Sequence, residues 1–300
     1  MGVILATYNG EKFIEDQINS IISQRDISVF LYVRDDRSSD ITLNIIRAFA
    51  AAHPGKIILL DNAKDRFGAA CENFLSILLD VPHHKHDYFA FADQDDIWLP
   101  YKLKRAVQML RENEASGYAS NLIAFSEARG EAWVIDKAGR QRAYDHLFQS
   151  ASAGCTYVLD RRAAGLIAEK IERLDGHDWK GMSHDWLCYA ICRSHGLRWV
   201  IDERPGIRYR QHDQNLFGAM PGVGGMIKRL SLMREGWYRS VLLRNRAFLN
   251  PENRQEQAIL DRVARLSVTD RLWLASRVGK LRREFKSRLA LALAFLLGLI

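Results

Sequence analysis

The sequence predicts an α/β fold in which a mostly parallel central sheet carries helices on both faces. Within the first hundred residues, short apolar runs alternate with segments whose apolar residues recur at helical spacing, in the order β-α-β-α-β-α-β. Three clusters of polar side chains each follow one of these strands. The 300 residues are 48% hydrophobic, which is enough for a sizeable core.

These patterns predict the bounds of the individual strands and helices along the chain. Strands are predicted over residues 3–6, 29–33, 56–60 and 88–92, and the first helix is marked by isoleucines from Ile14 to Ile22. The next helices are predicted to begin after Ser39 or Asp40, either of which can cap a helix, and over residues 68–79. Farther on, helices are expected over 102–111 and 161–174 and from Asp185 onward, and strands over 132–135, 155–159 and 197–202.

The polar clusters lie after the first, second and fourth strands. They run from Thr7 to Gly10, from Asp35 to Asp40 and from Asp93 to Asp96. The carboxyl ends of parallel strands share one edge of a sheet, and open α/β sheets bind ligands at that edge. We therefore expect a ligand site there.

The last of these clusters predicts a metal site. Asp93 and Asp95 follow a buried strand at alternate positions, so their carboxylates can converge and would repel each other without a cation between them. Oxygen ligands favour Mg²⁺ or Mn²⁺, ions often shared with substrate phosphates. The alternative is a solvated acidic turn that caps the helix beginning at Lys102.

Several function classes lose support. No Gly-x-Gly-x-x-Gly follows the first strand and no Walker A sequence occurs, which disfavours a nicotinamide dehydrogenase or a P-loop enzyme. The net charge of +7 is concentrated in residues 228–288, with 16 Lys and Arg against 6 Asp and Glu, so the remainder sums to −3. A general nucleic-acid binder would be basic throughout. The scattered cysteines, Cys71, Cys155, Cys188 and Cys192, are interpreted as buried thiols of a reducing compartment.

Four motifs together resemble the family-2 glycosyltransferases of GT-A fold. They are Ala6-Thr7-Tyr8-Asn9-Gly10, Val33-Arg34-Asp35-Asp36-Arg37-Ser38-Ser39-Asp40, Ala92-Asp93-Gln94-Asp95-Asp96-Ile97-Trp98 and Ser183-His184-Asp185-Trp186. With Tyr209-Arg210-Gln211-His212, they are most similar to bacterial rhamnosyltransferases of surface polysaccharide assembly. The resemblance covers about residues 2–218. It departs at Arg37, where the family usually has Gly.

The resemblance implies a metal-dependent, inverting transfer of a sugar, rhamnose in the closest subgroup, from a dTDP or UDP donor to a saccharide or lipid-linked acceptor. It places Asp185 as the general base; the alternative is that Asp185 only caps its helix. It implies Asp93, Asp95 and His212 as metal ligands, although His212 could instead contact the diphosphate. Donor contacts are implied for Thr7, Tyr8, Asn9, Asp35, Asp36, Arg66, Asp93, Gln94 and Arg210.

Two positions keep a structural alternative. Residues 209–215, with Arg210 and His212, could be an ordinary polar surface loop. Gly154 stands where the family often has a glycine that admits the acceptor, and it could equally be a turn residue. The function alternative is a non-catalytic module of the same fold that binds a nucleotide-sugar or a membrane. The presence of Asp185 together with Asp93 and Asp95 favours an enzyme.

The chain is predicted to divide into a catalytic domain over residues 1–218, with its nucleotide half near 1–100, and a helical basic extension over 219–300. Helices are expected over 226–249 and 253–287, after a glycine-rich junction at 221–225. Residues 289–300 carry no charge and are too short to cross a bilayer, so we expect them to lie in an anionic leaflet. The alternative is packing on the catalytic domain or on a dimer partner. No signal peptide is recognised, which predicts a cytoplasmic enzyme, peripheral on the inner membrane.

Overall fold

The computed structural model describes residues 1–61, 68–172, 179, 181–212 and 236–300. Its strands are β1 (Gly2–Thr7), β2 (Phe30–Asp35), β3 (Ile57–Leu59), β4 (Tyr88–Ala92), β5 (Ile97–Trp98), β6 (Gly117–Ser120), β7 (Leu122–Ser126), β8 (Glu131–Ile135), β9 (Val158–Asp160), β10 (Trp199–Asp202) and β11 (Ile207–Arg210). Its helices up to residue 212 are α1 (Ile14–Ile22), α2 (Thr42–Ala52), α3 (Ala70–Asp80), α4 (Lys102–Glu112), α5 (Asp145–Phe148), α6 (Arg161–Glu172) and α7 (His184–Ser194).

Seven strands form the central sheet, in the order β10-β6-β9-β4-β1-β2-β3. Strands β4, β1, β2 and β3 run parallel to their neighbours in this group, and β10 is parallel to β6. Only β9, among the described strands of this sheet, is antiparallel to its neighbours. The prediction of a mostly parallel sheet is confirmed.

The sheet is covered on both faces because side chains of one strand alternate between them. On β1, Val3 and Leu5 pack in one cluster with Ile18 of α1 and Leu103 of α4. Ile4 packs in a second cluster on the opposite face, with residues of α3, α6 and α7. Strands buried on both faces give the continuous apolar runs seen in the sequence.

A second, four-stranded sheet was not foreseen. Its order is β5-β11-β7-β8, and it continues the chain directly after the Asp93 to Asp96 cluster. The alternative of a polar surface loop over 209–215 was wrong for Tyr209 and Arg210, because both residues belong to β11, which pairs with β7. The predicted strand at 155–159 is shorter, since Gly154–Thr156 form a 3-10 turn before β9.

The described part of the C-terminal extension is a set of short helices. They are α8 (Trp237–Asn245), α9 (Arg254–Arg265), α10 (Val268–Ala275), α11 (Val278–Leu281) and α12 (Phe285–Leu297). The prediction that residues 253–287 are helical is confirmed for most of them, but the segment is divided among four helices. The chain turns at Leu266, whose φ is +49°, and Ser267 then accepts a hydrogen bond from the Asp270 amide to begin α10. The predicted boundary at 218 and the junction at 221–225 lie outside the described residues.

The extension packs on the first part of the chain through a third apolar cluster. Phe148 and Trp186 lie there with Tyr238, Leu260 and Phe295. Helix α12 buries Leu291, Ala294 and Phe295, while its other side exposes Leu289, Leu293, Leu296 and Leu297. The predicted tail is therefore helical and rests on the protein through one face. Within the described ranges, no helix has the length and apolar character needed to cross a membrane.

Candidate active site

The ends of β1 and β2 are joined by hydrogen bonds between their polar clusters. Thr7 Oγ1 donates to Asp35 Oδ1 over 2.9 Å, and the Asp36 amide donates to the Thr7 carbonyl over 2.8 Å. Asp35 also accepts from the amide and the hydroxyl of Ser38, at 2.8 and 2.6 Å. Asp35 is thus buried and holds the loop after β2 in place.

Asp36 lies one residue farther along, where the site reaches α3. Its side chain is buried, and Oδ2 accepts a hydrogen bond of 2.9 Å from the Gly68 amide. Arg66, another predicted donor contact, lies outside the described residues. Of the two acidic residues, Asp36 is the one that accepts from the Gly68 amide, and its contact with a nucleotide stays a prediction.

Two residues at the ends of β1 and β4 pair through an amide. Gln94 Oε1 accepts from the Tyr8 amide at 2.8 Å, and Gln94 Nε2 donates to the Tyr8 carbonyl at 2.9 Å. Asn9 has a φ of +49°, and its Oδ1 accepts from the Ser39 amide at 2.8 Å. The three clusters predicted to share an edge are therefore linked, with Gln94 and Asn9 as the links.

Arg37 adopts the left-handed backbone conformation, with a φ of +58°. This conformation is unfavourable for a residue with a Cβ and costs glycine little. It accounts for the glycine expected there from the family resemblance. The arginine keeps the same backbone turn at a cost in conformational energy.

The acidic loop after β4 brings the predicted metal ligands together in part. His212 Nε2 lies 2.8 Å from Asp95 Oδ2, although the two residues are 117 positions apart. Asp93, Asp96 and Cys155 have ligand atoms within 4.8 Å of one another. Two of the three predicted ligands, Asp95 and His212, are thus in contact, and Asp93 belongs to the adjoining group.

The charges of this group are poorly compensated. Burial, followed by the charge of Asp95, raises the pKa of Asp93 to about 7. Burial also raises the pKa of Asp96 well above its usual range, and Asp96 Oδ2 has no hydrogen-bond partner in the described structure. Burial holds the Cys155 thiol protonated by raising its pKa, which makes it a poor metal ligand. The carboxylates and the imidazole are therefore donors that fit a hard divalent cation.

Arg210 lies beneath the acidic loop that follows β4. Its Nε donates to the Asp95 carbonyl at 3.0 Å, one terminal nitrogen pairs with Glu127, and the other lies 3.1 Å from Asp16. The side chain is buried against the rings of Phe13 and Phe125. All three guanidinium nitrogens thus have protein partners, of which the Asp95 carbonyl belongs to the acidic loop. A contact of Arg210 with the donor phosphates stays a prediction.

Asp185 stands in the first turn of α7, partly exposed at the same site. Its Oδ1 accepts a hydrogen bond from the Trp186 amide at 2.6 Å, and the Ser150 hydroxyl beside it lowers its pKa. Burial raises the pKa of Asp185 to about 6, a value suited to a general base near neutral pH. The charge of Asp185 contributes to the raised pKa of Asp93, after burial and Asp95, and the ring of the neighbouring His184 lies 5.2 Å from that of Phe91 on β4, the strand that ends at the acidic loop.

His184, the residue before Asp185, packs so closely against position 154 that only a glycine fits there. Its ring lies 4.2 Å from the ring of Phe74 and 5.2 Å from that of Phe91, and burial lowers its pKa to about 3. A Cβ on Gly154 would overlap His184 Nε2 and lie 2.7 Å from Cε1. Gly154 is therefore required by a close approach of the imidazole.

Sequence reasoning missed three residues of this site. Gln17 of α1 is buried and donates to the Asp93 carbonyl at 2.7 Å. Lys102 is buried with its Nζ 3.4 Å from the Trp98 ring centroid, and burial lowers its pKa to about 7. Cys155 was interpreted only as an inert thiol. A polar Gln17 among the isoleucines of α1 was the one signal available.

Comparisons with known proteins agree with this geometry. Residues 2–163 match the family model described as glycosyl transferase family 2. The chain is 39% identical over 235 residues to the dTDP-rhamnosyl transferase RfbG of Shigella flexneri, covering 78% of this chain and 81% of that protein. It is 29% identical over 164 residues to the UDP-Glc:alpha-D-GlcNAc-diphosphoundecaprenol beta-1,3-glucosyltransferase WfgD of Escherichia coli, covering 54% of this chain and 60% of that protein.

Solved structures support the fold. The crystal structure of S. aureus TarS 1-349 in complex with UDP-GlcNAc superposes with a TM-score of 0.61. The match covers 100% of this chain and 81% of that one at 15% sequence identity, so it supports the architecture alone.

Proposed function

The chain belongs to glycosyl transferase family 2, and from that premise we propose that it transfers rhamnose from a thymidine diphosphate donor to a saccharide acceptor of a cell-surface polysaccharide. The chain is an inverting glycosyltransferase of GT-A fold. The choice of donor is supported by 39% identity, over most of both chains, to a protein named as a dTDP-rhamnosyl transferase. Transfer itself is supported by the placement of Asp185 next to the strand that ends at the acidic loop: the ring of the neighbouring His184 lies 5.2 Å from that of Phe91 on β4.

The proposed reaction is a single displacement at the anomeric carbon. An acceptor hydroxyl attacks that carbon from the side of Asp185, and the bond from the carbon to the diphosphate oxygen breaks with its electron pair. The Asp185 carboxylate takes the hydroxyl proton, and the nucleoside diphosphate leaves with the negative charge. Since an ionised carboxylate is needed, the raised pKa leaves Asp185 charged above about pH 6 and still basic enough to accept a proton.

A divalent metal fits the donor set at the acidic loop. Asp95 and His212, which already lie 2.8 Å apart, would hold it with Asp93. When bound, it would supply positive charge beside the donor diphosphate. Arg210 and Gln94 fix the backbone from which these ligands project, through the Asp95 and Tyr8 main-chain atoms respectively.

The nucleoside is proposed to bind at the end of β2. Asp36, which accepts a hydrogen bond from the Gly68 amide, is the carboxylate that supports this placement. Asp35 and Thr7 act on the donor through the loop that they hold, because the Asp35 oxygens are occupied by Thr7 and Ser38. Tyr8 is exposed, and its ring is proposed to lie along the base or ribose.

The exposed face of α12 is proposed to rest on an anionic membrane surface, where a lipid-linked acceptor would be found. Leu289, Leu293, Leu296 and Leu297 form an uncharged strip of exposed side chains, and Lys286 lies at its start. Apolar side chains beside basic ones suit an interface with anionic headgroups. The same face would be costly to leave in water.

The test of the proposed function is a donor screen. The protein is incubated with dTDP-rhamnose, UDP-glucose and GDP-mannose, each with Mn²⁺, with Mg²⁺ or with excess chelator, and release of the nucleotide is measured. We expect dTDP-rhamnose to be turned over and chelation to abolish release. Turnover of another donor alone, or full activity in chelator, contradicts the donor or the metal respectively.

Membrane binding is tested separately. The double variant Leu289→Gln with Leu293→Gln should lose co-sedimentation with vesicles containing anionic lipid. Val134→Gln, at an apolar side chain exposed on β8, is the matched control. Equal sedimentation of all three proteins contradicts the proposed surface.

A further inference from the structure

The segment from α5 to residue 152 forms a wall beside the candidate base. The Ser150 hydroxyl lies beside the Asp185 carboxylate and lowers its pKa, and the Tyr189 hydroxyl of α7 donates to Asp145 Oδ1 at 3.0 Å. The Trp186 indole, next to the base, donates to the His146 carbonyl at 2.9 Å. The position of the Asp185 carboxylate therefore depends on how this segment is held.

The C-terminal extension holds it through Arg283, which lies between α11 and α12. One terminal nitrogen of Arg283 donates to the carbonyls of Ser150 and Ala151, both at 2.7 Å. The other lies 3.4 Å from Asp145 Oδ2. The Arg283 side chain is only 8% exposed and that of Asp145 is fully buried. A rigid guanidinium that bonds two consecutive carbonyls fixes their orientation more tightly than a single donor does.

Neighbouring contacts strengthen this hold. Arg282 donates to Gln149 Oε1 at 3.3 Å and to the Tyr238 hydroxyl at 2.9 Å, and Tyr238 in turn donates to the Phe148 carbonyl. Two consecutive arginines of the extension thus hold the wall at residues 148–151 by hydrogen bonds, one of them through Tyr238. Nothing in the family resemblance assigns these residues, since it ends near residue 218.

We propose that Arg283 is a positioning residue of the transfer reaction, through which the C-terminal extension holds Ser150 and its neighbours against Asp185 and the first turns of α7. This inference rests on the proposed role of Asp185 as the base. It makes the extension part of the acceptor side of the active site, in addition to any role at a membrane. The loops on the donor side are held by other residues, namely Asp35, Gln94 and Arg210. We therefore expect these loops to stay in place when Arg283 is replaced.

The experiment compares Arg283→Met, Arg283→Lys and Ser150→Ala with the wild-type chain. Arg277→Met, an exposed arginine four residues after Trp273, is the matched control. With full-length protein, we expect Arg283→Met to lower kcat about 100-fold, the effect of a misplacement of about 1 Å, and to leave dTDP affinity within about twofold. Arg283→Lys should recover part of kcat, since its ammonium can still donate to a carbonyl.

The pH profile separates positioning from simple loss of stability. The Ser150 hydroxyl opposes the effect of burial and lowers the Asp185 pKa, so its removal in Ser150→Ala or its displacement in Arg283→Met should move the acidic limb of kcat to higher pH. A folded Arg283→Met enzyme with kcat within twofold of wild type overturns the proposal. If Arg283→Met does not fold, an unchanged kcat and an unchanged limb in Ser150→Ala overturn it.

Amide hydrogen exchange gives a readout that does not need turnover. Arg283→Met should exchange faster over residues 145–152 than either wild type or Arg277→Met. An absence of turnover in the wild-type chain would refute the proposed function, whereas unchanged exchange in this segment would refute the role of Arg283. The two failures are therefore distinguishable.

Discussion

Replacing Asp185 with asparagine should abolish transfer and at the same time stabilise the fold. Asparagine keeps an oxygen that can accept the Trp186 amide but cannot take a proton from the acceptor. General-base catalysis contributes typically about 10²- to 10⁴-fold to rate, so kcat should fall by that factor. Binding of dTDP should persist, because Asp185 lies on the acceptor side.

The stability change follows from the direction of the pKa shift. Burial raises the pKa of Asp185 from 3.8 to about 6, so the folded protein disfavours the charged form. The folded state therefore gains relative stability below about pH 4 and loses it as pH rises through about 6. A shift of about 2 units corresponds to roughly 3 kcal/mol at about 1.36 kcal/mol per unit, and partial exposure reduces this to about 1–2 kcal/mol. Asp185→Asn should gain that amount at pH 8 and little at pH 4.

The assay is denaturant unfolding of both proteins at pH 8 and at pH 4 or 5, alongside transfer rates. Glu203→Gln removes an exposed carboxylate and serves as the control, with no expected gain. A less stable Asp185→Asn protein at pH 8 would refute the argument that burial raises this pKa. Near-normal turnover would place the base elsewhere, and His184 would be examined next, although burial keeps its pKa near 3.

Three further outcomes are expected. Arg37→Gly should leave the free energy of unfolding unchanged or raise it by up to about 1 kcal/mol, as measured by denaturant unfolding. The change relieves the unfavourable φ of +58° in the folded state, and the greater freedom of glycine in the unfolded chain offsets part of this gain. A loss above about 1 kcal/mol would contradict this. Gly154→Ala should cost about 1–3 kcal/mol by overpacking against His184, measured by the same method, and an unchanged midpoint would show that the imidazole moves freely. His212→Ala should weaken Mn²⁺ binding, measured by calorimetry, more than it weakens dTDP binding in the absence of metal. An Mn²⁺ affinity equal to that of the wild-type protein would show that His212 is not a metal ligand.

Local features of the chain determined most of the architecture. The apolar run Tyr88–Ala92 is a strand with the predicted bounds, and α1, α4 and α7 begin close to where the pattern placed them. The three polar clusters meet at one edge because parallel strands must end there. Periodicity and turn residues report on burial and direction within one element, which is why these predictions were confirmed.

Contacts between distant segments were not predictable in this way. The pattern could not tell that Asp35 would be occupied by Thr7 and Ser38 while Asp36 reaches Gly68. The division of 253–287 into separate helices was missed because an uninterrupted helical pattern hides the left-handed residue Leu266.

The tertiary structure alone decided which charged residues serve the site. Arg210 is buried beneath the acidic loop. Arg283, which is 98 positions after Asp185 in the chain, contacts the wall beside Asp185. In sequence, both belong to stretches that could equally be solvated arginines. A guanidinium's partners depend on which backbone carbonyls and carboxylates the folded chain brings within hydrogen-bond distance, and that is set by the packing of whole elements.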